Sequence, residues 1–505
     1  MKTHSITVRA AVAVLSLAVP AALMQTPTSS PPRQQPGLAR FERQSLTWRP
    51  CGDSAAPQFE CTSLVVPLDY RHPGGATLSV AISRIRATRP DLRRGILLMN
   101  PGGPGNSGLL LPRSLTRNGN LPAAVSQRYD LIGFDPRGVG RSSPVSCGLS
   151  AEQQNYLLLP PGSFAADIRR QSAVAAACKR RAGDVLPFIT TRNTARDMDL
   201  IRAVLGEPKL SYLGYSYGTY LGSVYTQMFG RHADRIVLDS SVDPRNVWRG
   251  LARAVAPALE RGLDRWAAWT AAHDADYGLG TSGATIRRRF DRLLVDANRT
   301  PVTVDDRTVT GEDVRFLAFG VMYDDRLYPV LSDLVRVALG GGRLQAPVHA
   351  YIEQALSPPT DDNEVAAQLA VFCDDVAWPH RLDVYARDKA VDGRRYPFYG
   401  ASSTVKPCTF WSRRPLEPPT RIGPDNRAPS ILMVQADLDT ATPERGAQQL
   451  HRLLPNSRMV TLRGAQKHIV FAVYGSSCVD ATVGAYLADG RLPRHDVTCT
   501  PGGMR

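Results

Sequence analysis

Gly214-Tyr215-Ser216-Tyr217-Gly218 is the stretch on which the reading of this chain turns. Leu210-Ser211-Tyr212-Leu213 before it has the composition of a strand, and Thr219 to Phe229 after it has that of a helix. A serine at such a strand–turn–helix junction is expected in a strained backbone conformation that exposes its hydroxyl. The glycines two residues to either side are needed because side chains there would clash. The five letters alone are a weak signal, since an ordinary glycine-rich turn can spell them. The setting carries the inference, and Ser216 is the candidate nucleophile.

Working outward, Asn100-Pro101-Gly102-Gly103-Pro104-Gly105-Asn106-Ser107-Gly108 directly follows an apolar strand. Such a loop presents backbone N–H groups with no side chains in the way, which suits an oxyanion hole. Gly103 and Tyr217, the residue after the candidate nucleophile, are the expected donors. A phosphate-cradling loop is the competing reading, but the Gly-Lys-Ser/Thr ending is missing, as is a GxGxxG opening a helix.

From about Trp48 the chain alternates short β-branched runs with helical segments, the mark of an α/β fold with a mostly parallel sheet. Strands are expected at Ser63–Asp69, Ala76–Arg86, Gly95–Asn100, Tyr129–Asp135, Leu210–Leu213 and Arg235–Asp239. Long amphipathic stretches then follow, notably Gly250–His273 and Val314–Leu339. Strand character returns at Ser430–Gln435 and Met459–Arg463 after a proline-rich connector. The division expected is a core over 41–244, a helical insertion over 245–425 after the sixth core strand, and a second core part over 426–505.

A nucleophilic serine needs a base and an orienting acid, expected in the order Ser, acid, His along the chain. Of nine histidines, only His451 and His468 lie beyond the insertion and close behind a strand. His451 sits in a helical stretch, whereas His468 follows Met459–Arg463 as a base on an exit loop would. Asp437 and Asp439 both follow Ser430–Gln435. Asp439 stands at the loop tip and is preferred; Asp437 is the alternative, with Asp239 and Asp243 weaker ones.

The bulk numbers agree with an exported, globular chain. It has 505 residues, 43% hydrophobic and 21% charged. Residues 1–24 pair a basic start (Lys2, Arg9) with an apolar run from Ala10 to Met24, the grammar of a signal peptide. Residues 25–40 read as a proline-rich spacer. No cysteine follows the apolar run and no later segment is long enough to span a bilayer, so export without a membrane anchor is expected. Eight cysteines, none in CxxC spacing, point to disulfides. Connectivity does not follow from sequence; four sequential pairs are expected because each brackets a local excursion, with free buried thiols the alternative. Net charge is +15, with arginines scattered and no like-charge run or nucleic-acid motif, so nucleic acid is not an expected partner. With no HExxH and no histidine cluster, neither metal nor cofactor is expected. Oligomeric state stays open.

Several motifs in order resemble a known family. They are the Asn100–Gly105 loop, Gly133-Phe-Asp-Pro-Arg-Gly-Val-Gly-Arg-Ser142, the Ser216 elbow and the Cys478…Cys499 tail. Together they look like the secreted bacterial tripeptidyl aminopeptidases, serine peptidases of the α/β-hydrolase superfamily related to prolyl aminopeptidases. The resemblance implies an α/β-hydrolase fold with a helical lid and a triad of Ser216, Asp439 and His468. It also implies a peptide substrate whose free N-terminus is held by lid acids. Asp375, in Cys373-Asp374-Asp375, is the candidate, with Asp374 second; a helix-capping or ion-pairing role is the alternative. One departure stands out: Lys467 precedes His468 where the family has glycine. That cation either repels a proton on the imidazole or points away from it.

Overall fold

The computed structural model describes residues 37–501, except 53–57, 118, 159–161 and 403. The expected signal peptide and most of the spacer lie outside the described residues. The spacer's last two residues, Ala39 and Arg40, open a one-turn helix, Ala39–Glu42.

The described residues form twelve strands: β1 (Arg49–Pro50), β2 (Phe59–Pro67), β3 (Thr77–Ile85), β4 (Gly95–Asn100), β5 (Tyr129–Phe134), β6 (Leu210–Tyr215), β7 (Ala233–Asp239), β8 (Val302–Val304), β9 (Arg307–Val309), β10 (Ser430–Ala436), β11 (Ser457–Leu462) and β12 (Val497–Cys499). All but β8 and β9 join one sheet in the order β1-β2-β3-β5-β4-β6-β7-β10-β11-β12. The first three strands run antiparallel to their neighbours, and the pairings from β5 onward are parallel. Every residue of β4 and β6 is buried, as expected of strands covered on both faces. Strand alternation sorts them between two cores: Leu98, Tyr212, Ile236 and Ile431 face one side, while Leu97, Leu213, Val237 and Leu432 face the other. This is the α/β-hydrolase arrangement, with candidate site residues at the carboxyl ends of central strands.

β7 is the sixth of the strands expected from the sequence; β1, paired at the sheet edge, was not among them because two residues carry no readable alternation. The β8–β9 hairpin and β12, three residues per strand, escaped the sequence reading for the same reason. The expected helix Val314–Leu339 is two helices, Gly311–Val321 and Tyr328–Ala338. Asp324 caps a short 3₁₀ turn between them, and Pro329 restarts the second helix in its first turn. Residues between 255 and 356 largely share a core of their own around Trp266, Phe290 and Leu331, whereas helix Asn363–Asp374 packs its alanine face into the sheet-side core. We propose 245–425 as the insertion, on the ground that it contributes no strand to the large sheet.

The disulfides are Cys51–Cys61, Cys147–Cys178, Cys373–Cys408 and Cys478–Cys499, with no free cysteine. The sequential pairing is the one formed.

Candidate active site

Ser216 lies between β6 and helix Tyr217–Phe229 with φ 55° and ψ −121°. A non-glycine residue in that region costs about 1–3 kcal/mol and persists only where its surroundings impose it. The surroundings are visible. A Cβ on Gly214 would lie 2.4 Å from the Gly218 carbonyl, and one on Gly218 would lie 2.9 Å from Asn100 Oδ1. The Ser216 amide donates to the Asp239 carbonyl at 2.9 Å, fixing the turn to β7.

The glycine-rich loop is pressed against this elbow. A Cβ on Gly102, at φ +103°, would sit 2.7 Å from the Tyr215 carbonyl and 2.8 Å from Ser216 Cβ. Asp135 secures the loop's far end, its carboxylate accepting from Ser107 Oγ at 2.5 Å and from the Gly108 and Arg141 amides. Neither the Gly103 nor the Tyr217 amide donates to an acceptor among the described residues. Both N–H groups are thus unengaged, one directly after the serine and one directly after the glycine pressed against it.

His468 donates from Nδ1 to Asp439 Oδ2 at 2.9 Å, both side chains buried. Asp439 is itself held by the Ala441 and Thr442 amides and by Thr442 Oγ1 at 2.8 Å. Its bond to Nδ1–H leaves Nε2 as the proton-accepting nitrogen. Asp437 instead accepts from the Gly464 amide, away from the imidazole. His451 bonds Ser457 Oγ and faces Asp496. Asp243 accepts from the Arg245 amide and Asn246 Nδ2.

Asp239 has a task that sequence reasoning did not assign. Its carboxylate accepts from the amides of Val470 and Phe471, at 3.0 and 2.7 Å, and its neighbour Ser240 Oγ accepts from Ile469 N. Burial pushes this carboxyl up to about 6, partly opposed by those donors.

Lys467 points away from the imidazole. Its ammonium meets Asp324 at 2.7 Å, with both side chains about nine-tenths buried. Around this pair the 322–325 turn is laced to the His468 loop: the His468 amide donates to Tyr323 O at 2.8 Å, Asp325 N to Gln466 O, and Gln466 N to Asp325 Oδ2. The Tyr323 ring stands edge-on to the imidazole at 5.2 Å and begins an aromatic row with Phe319 and Tyr399.

Asp374 and Asp375 are buried and line a cavity of about 20 Å³ that neither Ser216 nor His468 lines. Asp375 accepts the Thr191 amide at 2.8 Å and its hydroxyl at 2.5 Å, holding the start of helix Thr191–Val204; that hydroxyl also meets Tyr217 OH. Asp374 takes Trp411 Nε1 on one oxygen and nothing on the other. Burial raises Asp374 to about 7 and Asp375 to about 6. The unpaired acid on the same helix is Glu364, which the sequence reading passed over. Its backbone carbonyl abuts Gly105, and the residue is exposed, with partial burial raising its carboxyl.

Two family models match the chain: "TAP-like protein" over 396–499 and "alpha/beta hydrolase fold" over 95–301. A tripeptidyl aminopeptidase of Streptomyces lividans is 36% identical over 92% of this chain and 88% of its own length. The chain belongs to the tripeptidyl aminopeptidase family of α/β-hydrolases. Other relatives of this family member are serine protease Hip1 of Mycobacterium tuberculosis, 31% identical over 90% of this chain and 91% of its own. Carboxylesterase B of the same species is 30% identical over 93% and 92%. No described helix is long and apolar enough to cross a membrane.

Two predictions follow from the geometry. Asp324→Asn should lower kcat about tenfold, a misplacement of the base worth roughly 1.4 kcal/mol, with KM nearly unchanged and Asp324→Glu restoring most of it. An unaltered kcat would remove the Lys467 clamp from the site. Second, an unfolded aspartate titrates near 3.9, below the folded Asp374 at about 7. The stability Asp374 contributes is therefore complete below about pH 4 and lost as pH rises through 7. Between pH 4.5 and 8 the thermal midpoint of the wild type should fall more than that of Asp374→Asn; parallel profiles would contradict the assignment.

Proposed function

We propose that the protein is an exported serine exopeptidase that hydrolyses peptide bonds near a free N-terminus by acyl transfer. The observation carrying the reading is the buried Asp439–His468 hydrogen bond in a loop that Asp239 joins to the positive-φ Ser216 elbow. Ser216 Oγ attacks the carbonyl carbon while His468 Nε2 takes its proton, and Asp439 fixes the tautomer and stabilises the imidazolium. The Gly103 and Tyr217 N–H groups receive the oxyanion; loss of one such donor typically costs about 2.7–4 kcal/mol. His468 then protonates the leaving amine, and water, activated by the same base, releases the acyl group.

Exopeptidase action needs a counter-charge for the substrate's ammonium. The relatives named tripeptidyl aminopeptidase support that specificity, and the carboxylate must be free to bind. Asp375 was the first choice, with Asp374 second; the Thr191 contacts favour the anchoring role for Asp375, while Glu364 is unpaired beside the glycine-rich loop. The four disulfides support an oxidising compartment outside the cytoplasm. The relative named Carboxylesterase B supports a second reading, an esterase using the same residues.

Ser216→Ala should reduce kcat about 10⁴-fold or more on peptide-anilide substrates. N-acetylating those substrates should abolish turnover by the wild type, and Glu364→Gln should raise KM for free peptides more than Asp375→Asn does. Equal turnover of blocked and free peptides, with faster cleavage of nitrophenyl esters, would favour the esterase.

A further inference from the structure

Behind the Asp439 loop, helix Arg249–Ala272 and helix Glu444–Leu453 face each other across a cavity of about 490 Å³. Its lining carries four arginines, Arg245, Arg261, Arg445 and Arg452, against one acid, Asp243. That acid is already engaged, by the Arg245 amide and Asn246 Nδ2. Arg452 donates to Gln449, while Arg261 and Arg445 make no hydrogen bond or ion pair among the described residues. Arg245 Nε lies 3.8 Å from Asp243, so one acid stands against four guanidiniums; the uncompensated like charges repel one another, and an entering anion relieves that repulsion. Helix Glu444–Leu453 adds its positive end, since it begins beside the cavity at Pro443 with no side-chain cap. On the floor lies Ser241, 1% exposed, whose hydroxyl has no partner. A buried hydroxyl left unsatisfied costs about 1–3 kcal/mol, which an acceptor in the cavity would recover.

We propose that this cavity is a binding site for a multiply charged oxyanion, a phosphate or polycarboxylate, held by guanidinium groups from both helices. A single carboxylate accepts one bidentate guanidinium, whereas four guanidiniums around this volume suit an anion with several charged centres. Neither Ser216 nor His468 lines the cavity, but Thr442 does, and Thr442 Oγ1 donates to Asp439 Oδ2. The site therefore abuts the loop that orients the base, and it stands whether the substrate is a peptide or an ester.

The test is calorimetric titration of the mature protein with pyrophosphate and, separately, with citrate at low ionic strength. One anion per chain should bind, and the stronger of the two arms identifies the source chemistry. Arg261→Met/Arg445→Met should weaken binding at least tenfold, as should Arg245→Met/Arg452→Met, and both pairs should unfold at the wild-type temperature because all four side chains are exposed. A control pair on the exposed face of helix Gly283–Arg299, Arg288→Met/Arg292→Met, should bind as the wild type does. Absence of binding in both arms, or an equal loss in the control pair, would overturn the site.

Discussion

Asp239 ties together the two halves of the candidate site. Its carbonyl accepts the Ser216 amide, and its carboxylate accepts the Val470 and Phe471 amides just beyond His468. One residue at the carboxyl end of β7 thus sets the serine elbow on β6 and the base loop after β11. The group is fully buried; the Val470 and Phe471 amides and the Ser240 hydroxyl offset its desolvation only in part, which is why its carboxyl is pushed up to about 6. A carboxylate in such a position cannot be exchanged for a shorter or apolar group without releasing buried amides. Everything else in the site is arranged around this join.

Much of this was legible because it is local. The strand–turn–helix around Ser216 lies within Leu210–Phe229, the glycine run follows β4 directly, and the acid and the histidine each stand shortly after a late strand. Their meaning depends on neighbours in the chain. Asp439 was preferred to Asp437 as the loop-tip residue, and the structure brings Asp439 to His468 while turning Asp437 toward Gly464. The sequential disulfides were an expectation with free thiols as its alternative, and the structure forms them across separations of 10 to 35 residues.

What escaped depends on partners far off in sequence. Asp375 reads alike as ligand or anchor until Thr191, 184 residues away, is found on its oxygens. Asp239 was weighed as a triad acid, because nothing near it in sequence announces the Val470 and Phe471 amides. The 322–325 turn was hidden inside a helical period, since apolar spacing continues through Met322 and Leu327 although the chain leaves the helix between them. Lys467 was noticed as a departure, yet its direction was fixed only by Asp324.

That turn changes what the insertion is. If it were only a cover, its contacts with the base loop would be side chains resting on side chains. Instead the Met322 carbonyl accepts from Thr440 Oγ1 in the acid loop and from Gln466 Nε2 in the base loop, Tyr323 O accepts the His468 amide, and Asp324 neutralises Lys467. Removing the insertion would leave the His468 amide without its acceptor and an almost buried ammonium without its counter-ion, each a loss that core packing cannot replace. Phe319, on the helix before this turn, continues the aromatic row beside the imidazole, and a third helix of the segment, Arg249–Ala272, forms one wall of the arginine-lined cavity. Residues that line the approach to the site and residues that hold its base are therefore parts of one scaffold. Substitutions in the insertion should alter base placement along with substrate fit, because the hydrogen bonds that set one run through the segment that shapes the other.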